Sequence, residues 1–209
     1  MENLKGKNLV SCFDVVNQTW KEVGLMSDRL TAMLSKEIVE NKLRIADDEV
    51  SDEDDLAEFF KDYSNVKIGL AKCIPVKTRG ARKPDLYFGF QISLAGNLID
   101  FHGNEDPIVY MIRFSHEFGF GHWYFKFPLA KDEDDLDFNV ENEVVLRWKN
   151  DGSIAYGVKL LSLKNEHDLL DLCVKPLMSL HNGNSTKSIF GDDPEQPFVR
   201  FPDKSKLIA

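Results

Sequence analysis

The stretch Leu-Tyr-Phe-Gly-Phe-Gln-Ile-Ser-Leu at residues 86–94 decides the fold of this chain. Its leucine, phenylalanine and isoleucine residues alternate with tyrosine, glycine, glutamine and serine. Alternation with a period of two is typical of a β-strand that buries one face. We therefore expect a strand here with one apolar face and one mixed face.

Similar alternation predicts neighbouring strands at residues 66–73, 108–114 and 123–127. A loop that contains Gly80 joins the first of these to the 86–94 strand, which predicts a hairpin. Because short connections favour antiparallel neighbours, we expect these strands to form a meander.

A second hairpin is predicted around Asp151 and Gly152. Alternating apolar residues run over 144–148 before this turn and over 154–160 after it. An Asp-Gly pair between two such runs is a strong hairpin signal. With this hairpin the predicted sheet has about six strands.

Helices are expected on the N-terminal side of the sheet. Residues 11–44 predict two helices that are separated at Gly24, with Ser27 as the N-cap of the second. Ser51 then begins a short predicted helix, because the four acids that follow it suit the first turn of a helix.

On the C-terminal side, residues 166–181 predict another helix, which Pro176 should kink or divide. The Gly, Asn, Ser, Pro and Asp content beyond His181 predicts an irregular tail. Phe198 and Phe201 are the residues expected to pin this tail to the body.

These elements predict the α+β class, with an N-terminal helical hairpin, an antiparallel meander sheet and a C-terminal helix packed on one face. With 209 residues, 43% of them hydrophobic, the chain is long enough for one substantial core. We therefore expect a single domain over 1–209, with a helical part at 1–62, the sheet at 63–160, and the helix and irregular tail at 161–209.

The three cysteines, Cys12, Cys73 and Cys173, are far apart and show no CxxC spacing. This usage indicates a reducing compartment. The N-terminus has no long apolar segment, and no run approaches the roughly 20 apolar residues that span a bilayer. We expect a cytoplasmic protein that does not bind membranes.

The net charge of −9 is concentrated in two segments. Residues 47–58 contain eight acids and no base, and residues 131–143 contain seven acids and one base. We interpret both segments as solvated connectors. The rest of the chain is mildly basic, with 25 bases and 20 acids. Because local patches govern encounters between molecules, the acidic total does not exclude an anionic partner.

One loop is strongly basic. Lys77, Arg79, Arg82 and Lys83 lie within seven residues at the tip of the first predicted hairpin. Such a cluster can hold a phosphate backbone, and we consider it a candidate anion or nucleic-acid site. The alternative is a solvated hairpin end whose charges protect the sheet edge.

A second candidate site contains carboxylates and imidazoles. Asp100, His102 and Glu105 lie close together in the sequence, and His116 and His122 follow. If these side chains converge, they suit a divalent metal that activates water for phosphodiester hydrolysis. Ordinary turn and strand-end residues are the alternative. No catalytic motif is complete, so no catalytic residue is assigned and the question of enzymatic activity stays open.

The leading functional hypothesis is a non-enzymatic, acidic protein–protein interaction module, such as an adaptor, an inhibitor or an immunity-type factor. It would need no cofactor and would capture another protein through Asp132, Glu133, Asp134 and Asp135. The alternatives are a metal-dependent hydrolase that acts on phosphodiesters and a nucleic-acid-binding accessory protein that uses the 77–83 loop.

Overall fold

The computed structural model describes residues 2–46, 69–94, 106–117, 137–194 and 197–201. In this part of the chain, an antiparallel sheet packs against helices from both ends of the sequence, which confirms the α+β class. Seven strands are described here, in the order β1-β2-β3-β4-β7-β6-β5. Their bounds are β1 Arg44–Ile45, β2 Gly69–Lys77, β3 Leu86–Ser93, β4 Ile108–Phe114, β5 Phe138–Glu141, β6 Val145–Trp148 and β7 Ile154–Lys159.

Both predicted hairpins are confirmed. β2 and β3 pair in antiparallel register from Val76 opposite Leu86 to Gly69 opposite Ser93. β6 and β7 pair across the Asp151-Gly152 turn. β7 then lies beside β4, so the second hairpin extends the same sheet. All of the described strand pairs are antiparallel.

The predicted pair of N-terminal helices is wrong, because one helix, α1, runs from Glu2 to Glu40. Gly24 lies inside it, at a cost of about 1 kcal/mol relative to alanine. That cost is small compared with the free energy gained when the apolar stripe on either side of Gly24 is buried. The stripe packs on the sheet through Val23, Leu30, Leu34 and Ile38, all of which are buried.

The predicted C-terminal helix is confirmed, including its interruption near Pro176. It consists of α2 (Glu166–Asp168), a π-helical turn (Leu169–Val174) and α3 (Lys175–His181). Pro176 has no N–H to donate to the carbonyl of Leu172. The hydroxyl of Tyr156 donates to that carbonyl at 3.2 Å and also to the carbonyl of Cys173. A side chain from the sheet therefore satisfies backbone groups that the irregular helix leaves open.

Both faces of the sheet are buried. The helical face, which packs against α1 and residues 166–181, carries the larger core cluster. The opposite face carries Tyr110 and Phe114, and Val199 and Phe201 of the tail pack against it. The mixed face predicted for β3 is buried as well, and there Gln91 donates to Ser93 at 2.8 Å. Polar residues on that face are therefore part of the interior.

The tail is held as predicted. Phe198 forms a β-bridge with Val158, and Phe201 is almost fully buried. However, this region is less irregular than expected, because Thr186–Phe190 form a short helix, α4. Ser185 caps that helix by accepting from the N–H of Ser188.

Two short edge strands also differ from the prediction. The 11–44 helix was expected to reach Arg44, but α1 ends at Glu40 and Arg44–Ile45 form β1. The acidic connector at 131–143 was expected to be solvated, but Phe138–Glu141 form β5. Phe138 is fully buried, and its packing against Trp148 outweighs the charge of the segment.

The predicted strand at 123–127 and the predicted helix after Ser51 lie outside the described residues. None of the described helices has the length and apolar composition needed to span a bilayer.

Candidate anion-binding surface

The basic loop lies at the β1 edge of the sheet, where two further cations join it. Arg44 of β1 pairs in register with Lys77 of β2. Lys42 lies in the turn between α1 and β1. We call the resulting group the cationic end. It consists of Lys42, Arg44, Lys77, Arg79, Arg82 and Lys83.

A recess of about 360 Å³ lies within this group. All six cations are exposed except Lys77, which is half-buried. Among the described residues, the lining is polar or small, without an aromatic or a large apolar side chain. It comprises Lys42, Arg44, Lys77, Thr78, Arg79, Gly80 and Ala81.

The loop that presents the arginines is held by Asp85. Its carboxylate accepts from the backbone N–H of Thr78 at 2.9 Å and also from the Thr78 hydroxyl. The hydroxyl bond, followed by the backbone bond, lowers the pKa of Asp85. Gly80 has a φ of 92°, which glycine adopts without strain. The carboxylate within the loop therefore serves the backbone and does not neutralise the arginines.

None of the six cations of the cationic end has a carboxylate within 4.0 Å among the described residues. Among the other described lysines and arginines, a carboxylate within 4.0 Å is common. Arg29 lies 3.3 Å from Glu166, and Lys159 lies 2.8 Å from Asp106. Within the part of the chain that the structure describes, the cationic end therefore combines high positive charge with hydrogen-bond donors that no carboxylate occupies.

Lys42 adopts an unusual backbone conformation. Its φ of 63° places it in the left-handed region, where the N–H of Leu43 bonds back to the carbonyl of Ile38 at 3.1 Å. Glycine is the usual residue at this position of a helix C-terminus. A side chain there costs about 1–2 kcal/mol. The chain thus keeps a lysine at this corner of the recess despite local strain.

A second polar cluster links the β6–β7 turn to β4. The carboxylate of Asp151 accepts from the hydroxyl of Ser115 and from the N–H and hydroxyl of Ser153, the latter two at 2.8 Å. His116 Nδ1 lies 4.0 Å from the same carboxylate. Burial raises the pKa of Asp151, but the hydrogen bonds from Ser115 and Ser153 and the charge of His116 lower it below its usual value.

This cluster does not have the geometry of a Ser-His-Asp triad. A triad places the imidazole between the hydroxyl and the carboxylate. Here the carboxylate of Asp151 bonds directly to the hydroxyls of Ser115 and Ser153. The cluster therefore fastens the hairpin turn to the sheet.

Of the predicted metal ligands, only His116 is among the described residues. Asp100, His102, Glu105 and His122 lie outside them. No group of three or more His, Cys, Asp or Glu side chains is placed to hold a metal within the described ranges. The metal site and the divalent-metal hydrolase stay predictions.

The acidic partner-binding residues also stay a prediction. Asp132, Glu133, Asp134 and Asp135 lie outside the described residues. By contrast, all four residues of the predicted anion site, Lys77, Arg79, Arg82 and Lys83, are described and lie in one loop. Sequence reasoning missed Lys42 and Arg44, because only the pairing of β1 with β2 brings them to this loop.

Comparison of the chain with protein-family models, with curated proteins and with solved structures finds no significant match.

Proposed function

We propose that this protein binds the phosphate backbone of a nucleic acid through its cationic end, without acting on it chemically. The observation that carries this proposal is a group of six cations at the β1 edge, four of which line one recess, that have no carboxylate partner among the described residues. A lysine or arginine that binds a phosphate releases the counterions condensed on the nucleic acid, and a cation without a carboxylate partner does so without breaking an ion pair. The surface is therefore ready to accept a polyanion.

The lining of the recess favours a nucleic acid over a protein partner. Stable protein interfaces are built around apolar or aromatic anchors that become fully desolvated. The described part of the chain supplies no such anchor to the recess, since the lining residues there are cationic, polar or small. Interfaces with nucleic acids are more polar and much more positively charged. Arg44 and Arg79 can also bind phosphate oxygens with two parallel hydrogen bonds.

The same lining favours the backbone over the bases. Proteins that hold single strands stack bases on aromatic side chains. None of the lining residues that the structure describes is aromatic. Contacts with phosphates position a protein on a duplex and carry no direct sequence information. We therefore expect binding to duplexes with little dependence on sequence.

The test is fluorescence anisotropy with a labelled duplex over a range of salt concentrations. Replacement of Arg79, Arg82 and Lys83 by glutamine should lower the affinity about 100-fold at 0.1 M salt, because about three phosphate contacts are lost. The slope of log K against log salt is negative, and for the same reason it should become less steep by about 2.7 units.

The matched control neutralises Lys149 and Lys187, which are exposed but lie 2.7 Å and 3.2 Å from Asp137 and Asp192. This variant should bind the duplex as the wild type does. Equal losses in the two variants would contradict the proposal. Tighter binding of the wild type to polyglutamate than to the duplex would instead support an acidic protein as the partner.

A further inference from the structure

The apolar stripe of α1 continues beyond the part of the helix that packs on the sheet. Where the helix lies on the sheet, the stripe consists of Val23, Leu30, Leu34 and Ile38, which are all almost fully buried. Val16 lies two helical turns before Val23 on the same side of α1, yet it is 43% exposed. Among the described residues, deep burial of the stripe therefore begins only at Val23.

The sequence extends the stripe further toward the N-terminus. Successive stripe residues are separated alternately by four and three positions, and they are Leu9, Phe13, Val16, Trp20 and Val23. This is the heptad spacing of helices that pack against another helix. Because α1 is helical throughout this range, Leu9 and Phe13 occupy positions on the same side of the helix as Val16.

The N-terminal half of α1 has little tertiary packing where its side chains are described. Asp14 to Thr19 are exposed on every side of the helix, and Trp20 is half-buried. Most of the stability of a helix in a protein comes from the packing of its apolar face. A partner that covers the stripe would therefore stabilise this half of α1.

The charges of this half fit a second copy of the same chain. Four positions flank the stripe between Leu9 and Trp20, and none of them is charged: Val10, Cys12, Asn17 and Thr19. Charges at such flanking positions normally decide which helix is accepted as a partner. Over residues 2–20, two acids balance two bases. Two copies therefore do not repel each other, and the segment has no net charge that selects a different protein.

An antiparallel pair also matches large side chains with smaller ones. If Phe13 faces Val16 of the second copy, the same register places Trp20 opposite Leu9. Facing positions pack best when large and small residues alternate across the contact. A parallel pair would instead place Phe13 opposite Phe13 and Trp20 opposite Trp20. The antiparallel pair also keeps the two sheets at opposite ends of the joined helices.

We propose that the protein forms an antiparallel homodimer through residues 9–20 of α1. An aromatic side chain buries about 150–250 Å² when it is covered, so the four stripe residues of each copy together bury roughly 1,000 Å². That area is at the lower limit for a specific interface. The expected dimer is therefore weak, with a dissociation constant in the micromolar range.

The dimer leaves the cationic end accessible. α1 ends at Glu40, two residues before Lys42. With a rise of 1.5 Å per residue, the two cationic ends lie roughly 80 Å apart at opposite ends of the dimer. The proposal therefore does not rest on the proposed function. Replacement of Arg79, Arg82 and Lys83 by glutamine should leave the dimer intact, which separates the two proposals.

The test is sedimentation equilibrium of the full chain over a range of micromolar concentrations. The wild type should show a reversible equilibrium between monomer and dimer. Val16→Asp should raise the dissociation constant about 100-fold, because the interface would bury a carboxylate without a partner. Since Val16 is exposed in the monomer, the variant should stay folded, which circular dichroism checks.

The matched control is Val15→Asp. Val15 is the neighbouring residue, has the same side chain and is more exposed than Val16, at 65%. It projects about 100° away from Val16 around the helix, so its replacement should leave the dissociation constant unchanged. A wild type that stays monomeric would overturn the proposal, as would equal losses in the two variants. A monomer that binds anionic lipid vesicles through Val16 would also overturn it and would assign the stripe to a membrane surface.

A spin label on Cys12 tests the orientation of the two helices, because Cys73 and Cys173 are buried. The labelled protein is mixed with isotope-labelled protein that carries no spin label. The antiparallel dimer should broaden most strongly the amide signals near Thr19 of the isotope-labelled copy. Broadening that is strongest at Cys12 itself would indicate a parallel pair and would overturn the antiparallel arrangement.

Discussion

The two edges of the sheet carry cations in different electrostatic states. Near the β5 edge, each of four cations lies within 4.0 Å of a carboxylate. These pairs are Arg147 with Glu141, Lys149 with Asp137, Lys187 with Asp192, and Arg200 with Glu143 and Asp193. At the β1 edge, none of the six cations of the cationic end has such a partner among the described residues. Within the described ranges, the β5 edge is internally neutralised and the β1 edge is not.

The difference in ion pairing between the two edges separates cations that stabilise the fold from cations that do not. Cations with nearby carboxylates contribute modestly to stability and attract external anions weakly. Free cations that lie together repel one another, and they are retained at some cost to stability. Natural proteins often accept such a cost where a surface has a function. This is the physical reason for proposing that a binding surface lies at the β1 edge.

Lys42→Gly gives the largest effect expected within this comparison. It should raise the free energy of unfolding by about 1 kcal/mol, because glycine adopts the left-handed conformation without strain. It should also weaken duplex binding about fivefold, since one phosphate contact is lost. Chemical denaturation and fluorescence anisotropy measure the two changes.

Lys42→Gln is the matched control for this prediction. It removes the charge but keeps a side chain in the left-handed position. It should weaken duplex binding as much as Lys42→Gly does, without the gain in stability. If Lys42→Gly leaves duplex affinity unchanged, Lys42 does not belong to the binding surface.

A smaller change in the free energy of unfolding is expected when cations of the two edges are replaced separately. Replacing Arg79 and Arg82 by glutamine should raise the free energy of unfolding by about 0.5 kcal/mol, because mutual repulsion is relieved. Replacing Lys149 and Lys187 should lower it by about 0.5 kcal/mol, because exposed ion pairs are lost. Changes of the same sign at both edges, measured by urea denaturation, would remove the distinction between them.

The β1 edge also shows which structural features can be predicted from the sequence alone. The alternation at 86–94 and the loop at 77–83 were sufficient to predict the β2–β3 hairpin and its basic tip, since both signals are local. Arg44 could not be assigned to the same surface. Its two-residue strand follows directly after a long helix, and only tertiary pairing with Lys77 defines it.

Elsewhere, the local signals were outweighed by packing. Gly24 suggested a break that the burial of the apolar stripe of α1 prevents. Phe138 lies in an acidic segment that suggested a solvated connector, yet the side chain is fully buried in β5. Phe88 and His181 are 93 positions apart, and only the packing of α3 on the sheet brings their rings into contact.

The most direct test of the binding surface is an NMR titration of the isotope-labelled protein with a short duplex at low salt. We predict that the amide signals of 42–44 and 77–83 shift, and that those of 147–149 and 187–200 stay unchanged. Shifts confined to the β5 edge, or no shifts at 42–44 and 77–83, would contradict the account.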